Sequence, residues 1–203
     1  MNLRPMGDGA LLVETRDSAE AQNLRRALLA ESPAGVKQLI PGYRSLLLVA
    51  DPLVTDLDAL ATRLPELLRT PAPARAAKFH EVPVSYGGED LDVAAKLLGM
   101  SAEEVVRRHS AATYTVAFLG FAPGFPYLTG LDPKLEMPRL ATPRTRTPEG
   151  AVAVAGEFTG IYPQATPGGW RVLGRVHLKL FDAAREPPTL FAPGDQVRFK
   201  VLP

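Results

Sequence analysis

Phe118-Leu119-Gly120-Phe121-Ala122-Pro123-Gly124-Phe125-Pro126-Tyr127-Leu128-Thr129-Gly130-Leu131 lies where helical periodicity has given out along this chain. Around and beyond it, short apolar runs at Tyr114–Phe118, Val152–Ala155, Trp170–Leu173, Val176–Phe181 and Gln196–Val201 alternate with Gly- and Pro-rich turns. Eight of the 20 prolines fall between Phe121 and Trp170, and proline lacks the donor that a helix or central strand requires. Many short strands with this punctuation predict a β-barrel or sandwich.

Moving outward toward the N-terminus, the pattern changes to helices. Leu91 to Leu98 reads as one helix ended by Gly99, and Ser101 with Glu104 opens a second that runs to about His109. Earlier still, Ala10–Glu14, Val36–Ile40, Leu46–Ala50 and Lys78–Val84 read as strands. A helix after the Asp17/Glu20 capping box carries Ala21, Leu24, Leu28 and Leu29, and Ser32-Pro33 stops it. Another helix, from Thr55 or Asp56, sets Leu57, Leu60, Leu64, Leu67 and Leu68 on one face, with Pro65 expected to kink or restart it. The order βαββαβ is that of the split βαβ, or ferredoxin-like, arrangement. Thr70-Pro71-Ala72-Pro73-Ala74-Arg75 reads as an interdomain connection, and the strand after it is open either to close the first sheet or to begin the second domain. The expectation is therefore an α+β chain with a ferredoxin-like domain at residues 1–78 and a β-barrel domain at residues 79–203.

Composition narrows the functional classes. Apolar residues make up 46% and charged residues 22% of 203 residues, the balance of a folded globular protein. Lys plus Arg number 23 against 22 Asp plus Glu, so no global field favours nucleic acid or an anionic membrane. With no cysteine, thiolate catalysis and thiolate metal sites are excluded. No apolar run nears the roughly 20 residues that span a bilayer, and Met1-Asn2-Leu3-Arg4-Pro5 lacks a secretory h-region. The expected location is cytoplasmic. A phosphate-binding GxxxxGK[ST] loop, a GxSxG nucleophile elbow, HExxH and GxGxxG are all absent. His80, His109 and His177 are far apart in sequence, and no metal site is expected.

Three clusters remain as candidates. In the aromatic stretch, Pro123 and Pro126 stiffen the backbone while Gly120, Gly124 and Gly130 allow conformations closed to other residues. Phe121, Phe125 and Tyr127 are then available to a small planar ligand or a docking partner, or equally as a plug for one end of the barrel. The strip Pro138-Arg139-Leu140-Ala141-Thr142-Pro143-Arg144-Thr145-Arg146-Thr147-Pro148 holds three guanidinium groups, suited to a substrate carboxylate, a phosphoryl group or acidic residues on a partner, or equally to surface ion pairs. The segment holding Tyr162-Pro163 and Gly168-Gly169-Trp170 reads either as a nest of bare amides for an oxyanion or as a hairpin turn beside a core tryptophan. His109, at a helix C-terminus, is open to a general acid or base role or to capping.

Taken in order, these motifs resemble one family. Its marks here are His109-Ser110, Tyr114-x-Val116, Gly120-Phe121-x-Pro123-Gly124-Phe125-x-Tyr127-Leu128-x-Gly130-Leu131, Pro138-Arg139-x-x-x-Pro143-Arg144, and Ile161-Tyr162-Pro163-x-x-x-Pro167-Gly168-Gly169-Trp170. They are similar to the B subunit of ATP-dependent 5-oxoprolinases, a family also labelled allophanate hydrolase subunit 1 and KipI-type sensor-kinase inhibitor. The resemblance implies a cyclophilin-like barrel in the C-terminal half. It implies an ATP-coupled opening of 5-oxo-L-proline to L-glutamate, performed with a homologous C subunit plus an A subunit, the isolated chain being inactive. ATP would be bound mainly with or by a partner. In the family's logic the lactam oxygen is phosphorylated, water adds and phosphate leaves. The alternatives it carries are inhibition of a sensor histidine kinase and accessory work in allophanate or urea breakdown. Catalytic candidates are His109, Arg139 and Arg144. Candidates for a groove shared with substrate or partner are Tyr114, Phe121, Pro123, Gly124, Phe125, Tyr127, Tyr162, Gly168, Gly169, Trp170 and Arg175.

Overall fold

The computed structural model describes residues 2–69 and 76–202, so the connection expected at Thr70–Arg75 lies outside the described residues. The chain divides into two compact units, Met1–Ala76 and Ala77–Pro203.

In the first unit, strands β1 (Asn2–Pro5), β2 (Ala10–Glu14), β3 (Val36–Pro41) and β4 (Ser45–Ala50) form an antiparallel sheet in the order β1-β2-β4-β3. Helix α1 (Ser18–Glu31) connects β2 to β3, and α2 (Leu57–Arg69) follows β4. Period-two burial turns Leu11 and Val13 of β2 and Leu46 and Leu48 of β4 to one face, where Leu24 and Leu28 of α1 and Leu60 and Leu64 of α2 join them. Asp17 Oδ1 accepts from the Glu20 amide at 2.8 Å, and the Glu20 carboxylate reaches back to the Arg16 amide at 2.6 Å. At the other end Ser32 takes a left-handed φ of 49° just ahead of Pro33. Pro65 sits within the continuous helix α2.

The expected βαββαβ order is not the one observed. The strand read at Lys78–Val84 leaves this sheet and becomes the first strand of the second unit, and β1 takes the open edge beside β2. The sequence of β1, Asn-Leu-Arg-Pro, sends only Leu3 against the core and so carried no alternating apolar signal. An apolar run shows which residues are extended and leaves open which neighbour they bond.

The second unit is a closed seven-stranded barrel. Its strands are β5 (Phe79–Tyr86), β6 (Tyr114–Leu119), β7 (Pro126–Thr129), β9 (Ala151–Ala155), β10 (Phe158–Ile161), β12 (Arg171–Arg175) and β13 (Gln196–Val201), in the order β10-β7-β6-β13-β5-β12-β9. Neighbours are antiparallel except β5 and β13. Short strands β8 (Arg144–Thr147) and β11 (Thr166–Gly168) pair separately. Helices α3 (Leu91–Leu98) and α4 (Ala102–Ala111) lie between β5 and β6 in sequence. Their ends are those the sequence indicates, with Gly99 at φ 66° and Ser101 accepting from the Glu104 amide. Val82, Val84, Val116, Leu128, Val152, Val154, Leu173 and Phe199 belong to the barrel core. Residues Val176–Phe181, expected as a strand, are irregular apart from a bridge between Phe181 and Thr189. Strands β7, β8, β10 and β11 were not legible, because each is only three or four residues long and broken by Gly, Pro or Arg.

Candidate functional site: an aromatic corner of the barrel

The aromatic stretch Phe118–Leu131 begins as a hairpin between β6 and β7. Phe118 of β6 stands opposite Tyr127 of β7 and Leu119 opposite Pro126, which leaves residues 120–125 as the loop. The Phe118 and Tyr127 rings stack at 4.2 Å, a cross-strand pair of the kind that stabilises sheets. Inside the loop the Ala122 amide donates to the Gly120 carbonyl at 2.7 Å, two residues back, and Phe121 takes φ 64°. This is a γ-turn of the strained, positive-φ kind. For a bulky residue it costs on the order of 1–3 kcal/mol, which the surrounding structure has to offset. It turns the Phe121 ring outward, 61% exposed. Gly124, at φ 81°, does what glycine was expected to do, and a side chain there would collide with Phe181. Pro123 is exposed beside it.

Beneath Phe121 the other rings are closed in. Phe125, Tyr162 and Trp170 are buried in a cluster with Ala151, Ala153 and Val172, against which Tyr127 packs half-buried. Phe121 meets Phe125 at 5.4 Å and Tyr162 at 6.1 Å, both edge to face. The expectation that Phe125, Tyr162 and Trp170 line an open groove is therefore corrected: they support the exposed ring from below, since large aromatics gain most from burial. Tyr114 is corrected further. It is fully buried in the main barrel core, away from this cluster, and its hydroxyl donates to the His109 carbonyl at 2.7 Å.

Gly168 and Gly169 do not form a nest. Neither has a positive φ, and a nest of amides needs residues of alternating handedness. Gly168 is an ordinary strand residue of β11 that leaves room for its neighbours. A side chain on it would run into the Tyr162 hydroxyl and lie 2.8 Å from Thr147 Oγ1. The Gly169 carbonyl instead accepts from the Leu140 amide at 2.8 Å. This glycine pair thus offers no amide cradle.

The arginines separate clearly. Arg144 donates to Asp90 Oδ1 at 2.5 Å and to Glu89 at 3.1 Å, with the Trp170 carbonyl also in reach. The other Asp90 oxygen accepts from the buried Val172 amide at 2.7 Å. Arg144 is accordingly a clip between β8, the start of α3 and β12, and not a free anion site. Arg175 donates to the Glu149 carbonyl and Arg171 to the Pro138 carbonyl. Among the described residues Arg139 has no ion pair or hydrogen bond of its own. Burial raises the Tyr127 and Tyr162 phenol pKa values, and the nearby Arg139 guanidinium opposes this at both. The Tyr162 hydroxyl also lies beside the Trp170 backbone and the Thr147 hydroxyl.

His109 is corrected as an acid–base candidate. It is fully buried, with Nε2 2.9 Å from Thr159 Oγ1 and Nδ1 2.7 Å from the Tyr86 hydroxyl. Thr159 donates its own proton to the Ala153 carbonyl, so it accepts from His109 Nε2–H, and Nδ1 accepts from Tyr86. Burial drives the imidazole pKa down to about 3 and raises that of the Tyr86 phenol, which holds this neutral pattern in place. The ring stacks on Phe199 at 4.8 Å.

A separate apolar groove of about 570 Å³ lies by Tyr86, Leu91, Ala102, Val106, Ser110 and Val201, and none of the candidate site residues lines it. Among the described residues no group of three or more His, Asp or Glu side chains is arranged to hold a metal. No described helix is long and apolar enough to cross a membrane. Asp90, Thr147 and Thr159 escaped the sequence reading. Asp90 stands where a helix cap is expected, yet its side chain makes no capping bond because Arg144 and Val172 take it.

Comparison with known proteins places this architecture. A protein from Escherichia coli O157:H7 named as the B subunit of 5-oxoprolinase is 44% identical over 168 residues, covering 81% of this chain and 77% of that one. One of the same name from Haemophilus influenzae is 37% identical and covers 99% of this chain and 98% of its own. Among solved structures, the crystal structure of TTHA0988 superposes with a TM-score of 0.83 at 38% identity over all of this chain, which spans 40% of that longer one. The Kluyveromyces lactis urea amidolyase, at 21% identity and a TM-score of 0.79 over 98% of this chain and 15% of its own, shares the fold. The family model described as carboxyltransferase domain, subdomain C and D, matches residues 1–191, and the chain belongs to that family.

Proposed function

We propose that this chain is the B subunit of an ATP-dependent 5-oxoprolinase, which opens the lactam of 5-oxo-L-proline to L-glutamate together with a homologous C subunit plus an A subunit. The observation that carries the reading is the near full-length match to proteins of that name. The corner of the barrel is consistent with a contributory role. It presents an exposed ring, two phenols and a cation without a protein partner. Among the described residues it has no hydroxyl or carboxylate paired with a base. A chain of this kind binds and orients, and a second polypeptide completes the site. ATP is handled on the partner's side, and no step through it is assigned to residues of this chain.

The barrel is read as cyclophilin-like, the domain division as residues 1–78 and 79–203, and the location as cytoplasmic. The exposed, strained Phe121 favours a second reading, docking to a sensor histidine kinase as a KipI-type inhibitor. Reconstitution decides between them. Glutamate formation from 5-oxo-L-proline and ATP is measured with purified A and C subunits, with and without this chain. Activity that needs the chain is expected; activity indifferent to it, alongside inhibition of kinase autophosphorylation, overturns the oxoprolinase reading.

A further inference from the structure

We propose that Arg139 is the substrate-recognition residue of the corner, taking the carboxylate of a small cyclic acid whose flat ring rests against Phe121 and Tyr127. This rests on the oxoprolinase reading for the identity of the acid. The backbone pins Arg139 on both sides: the Pro138 carbonyl accepts from Arg171 Nε at 3.1 Å, and the Leu140 amide donates to the Gly169 carbonyl at 2.8 Å. The residue is thereby held against the segment whose Gly168 abuts the Tyr162 hydroxyl and Thr147. Arg144, Arg171 and Arg175 spend their guanidinium groups on protein acceptors. The exposed Arg139 and Arg146 have none among the described residues, and of the two it is Arg139 whose charge reaches Tyr127 and Tyr162.

A guanidinium fork bonds a carboxylate through two parallel N–H groups. The groups its charge reaches are the Tyr127 and Tyr162 phenols, with no acidic side chain paired to it, which matches one negative charge on an otherwise uncharged ring. A triphosphate needs several cations or a metal and a cradle of amides. The Gly168-Gly169 pair supplies no such cradle, because neither residue has the positive φ that a nest requires. The Arg139 field at both phenols agrees with the placement.

The test uses the assembled complex carrying Arg139→Gln or Arg139→Lys. For Arg139→Gln, KM for 5-oxo-L-proline is expected to rise on the order of 100-fold, the worth of a charged hydrogen-bonded pair. Arg139→Lys should recover part of that loss. KM for ATP and turnover of 2-pyrrolidinone, the same lactam without its carboxylate, should stay unchanged. An equal loss for both lactams, or a rise in KM for ATP, overturns the proposal. Fluorescence of Trp170, the chain's single tryptophan, provides a readout independent of turnover. Saturable quenching by 5-oxo-L-proline, absent with 2-pyrrolidinone and lost in Arg139→Gln, supports the site even if activity proves independent of this chain. Quenching that ignores the carboxylate or survives Arg139→Gln sinks it.

Discussion

The His109 centre and the Arg139 corner belong to the same barrel unit and carry opposite designs. At His109 every polar atom has a partner: Tyr86 and Thr159 hold the ring nitrogens, and Tyr114 holds the backbone carbonyl. Desolvation then fixes one neutral tautomer. At Arg139 a permanent cation stands beside neutral phenols with no acidic partner, a few residues from an arginine that has two. A side chain whose bonds are all made within the protein serves the fold, and one left without a partner is available to a ligand. The difference is invisible in residue type, since His and Arg both read as catalytic.

Stability measurements on the barrel, followed by Trp170 fluorescence, test this division. At neutral pH the largest effect of a substitution is expected for Arg144→Gln, which leaves the Asp90 side chain only 7% exposed and without its cation; the loss should be about 3 kcal/mol. If Arg144→Gln instead melts like the parent and weakens substrate binding, the assignments of the two arginines must be exchanged. Next comes Gly168→Ala, whose methyl group would displace the Tyr162 hydroxyl and Thr147. A cost of about 2 kcal/mol is expected, together with lost substrate binding.

The third prediction concerns pH. The unfolded chain takes up a proton at His109 below about 6.5, while the folded chain does so only near about 3. Stability is therefore full above about pH 6.5 and declines as pH falls toward 3, by about 1.4 kcal/mol per pH unit. In His109→Phe the slope of denaturant midpoints between pH 4 and 7 should be smaller by this one-proton share, the carboxylates with lowered pKa values keeping theirs. Equal slopes in the two proteins refute the neutral assignment. Phe121→Gly should shift stability by less than about 1 kcal/mol, because relief of the positive φ offsets the added freedom of the unfolded chain. It should nonetheless weaken assembly with the partner subunits in a pull-down. Smallest of all, Arg139→Gln is expected to change the melting free energy by no more than about 0.5 kcal/mol.

Part of this could be read directly from the residues. Helix limits at Asp17, Ser32, Gly99 and Ser101 follow from capping chemistry, which acts within a few residues. The aromatic stretch was recognisable as a feature and Gly124 and Gly130 take positive φ, yet Phe121 does so as well while Gly120 does not, and its second half is strand β7. Pairing of Phe118 with Tyr127 and the tie between Ala122 and Gly120 impose that geometry.

Local chemistry in the chain determined where helices start and stop, that the second half is built of short strands, and which motifs mark the family. Tertiary structure alone decided that β5 closes the barrel while β1 edges the first sheet, that Phe125, Tyr162 and Trp170 are covered, and that Arg144 is clipped while Arg139 is not. Capping and turn preferences involve groups a few residues apart. Strand partners and charge neutralisation depend on residues as distant as Asp90 from Arg144 or Val172, which meet only once the barrel has closed.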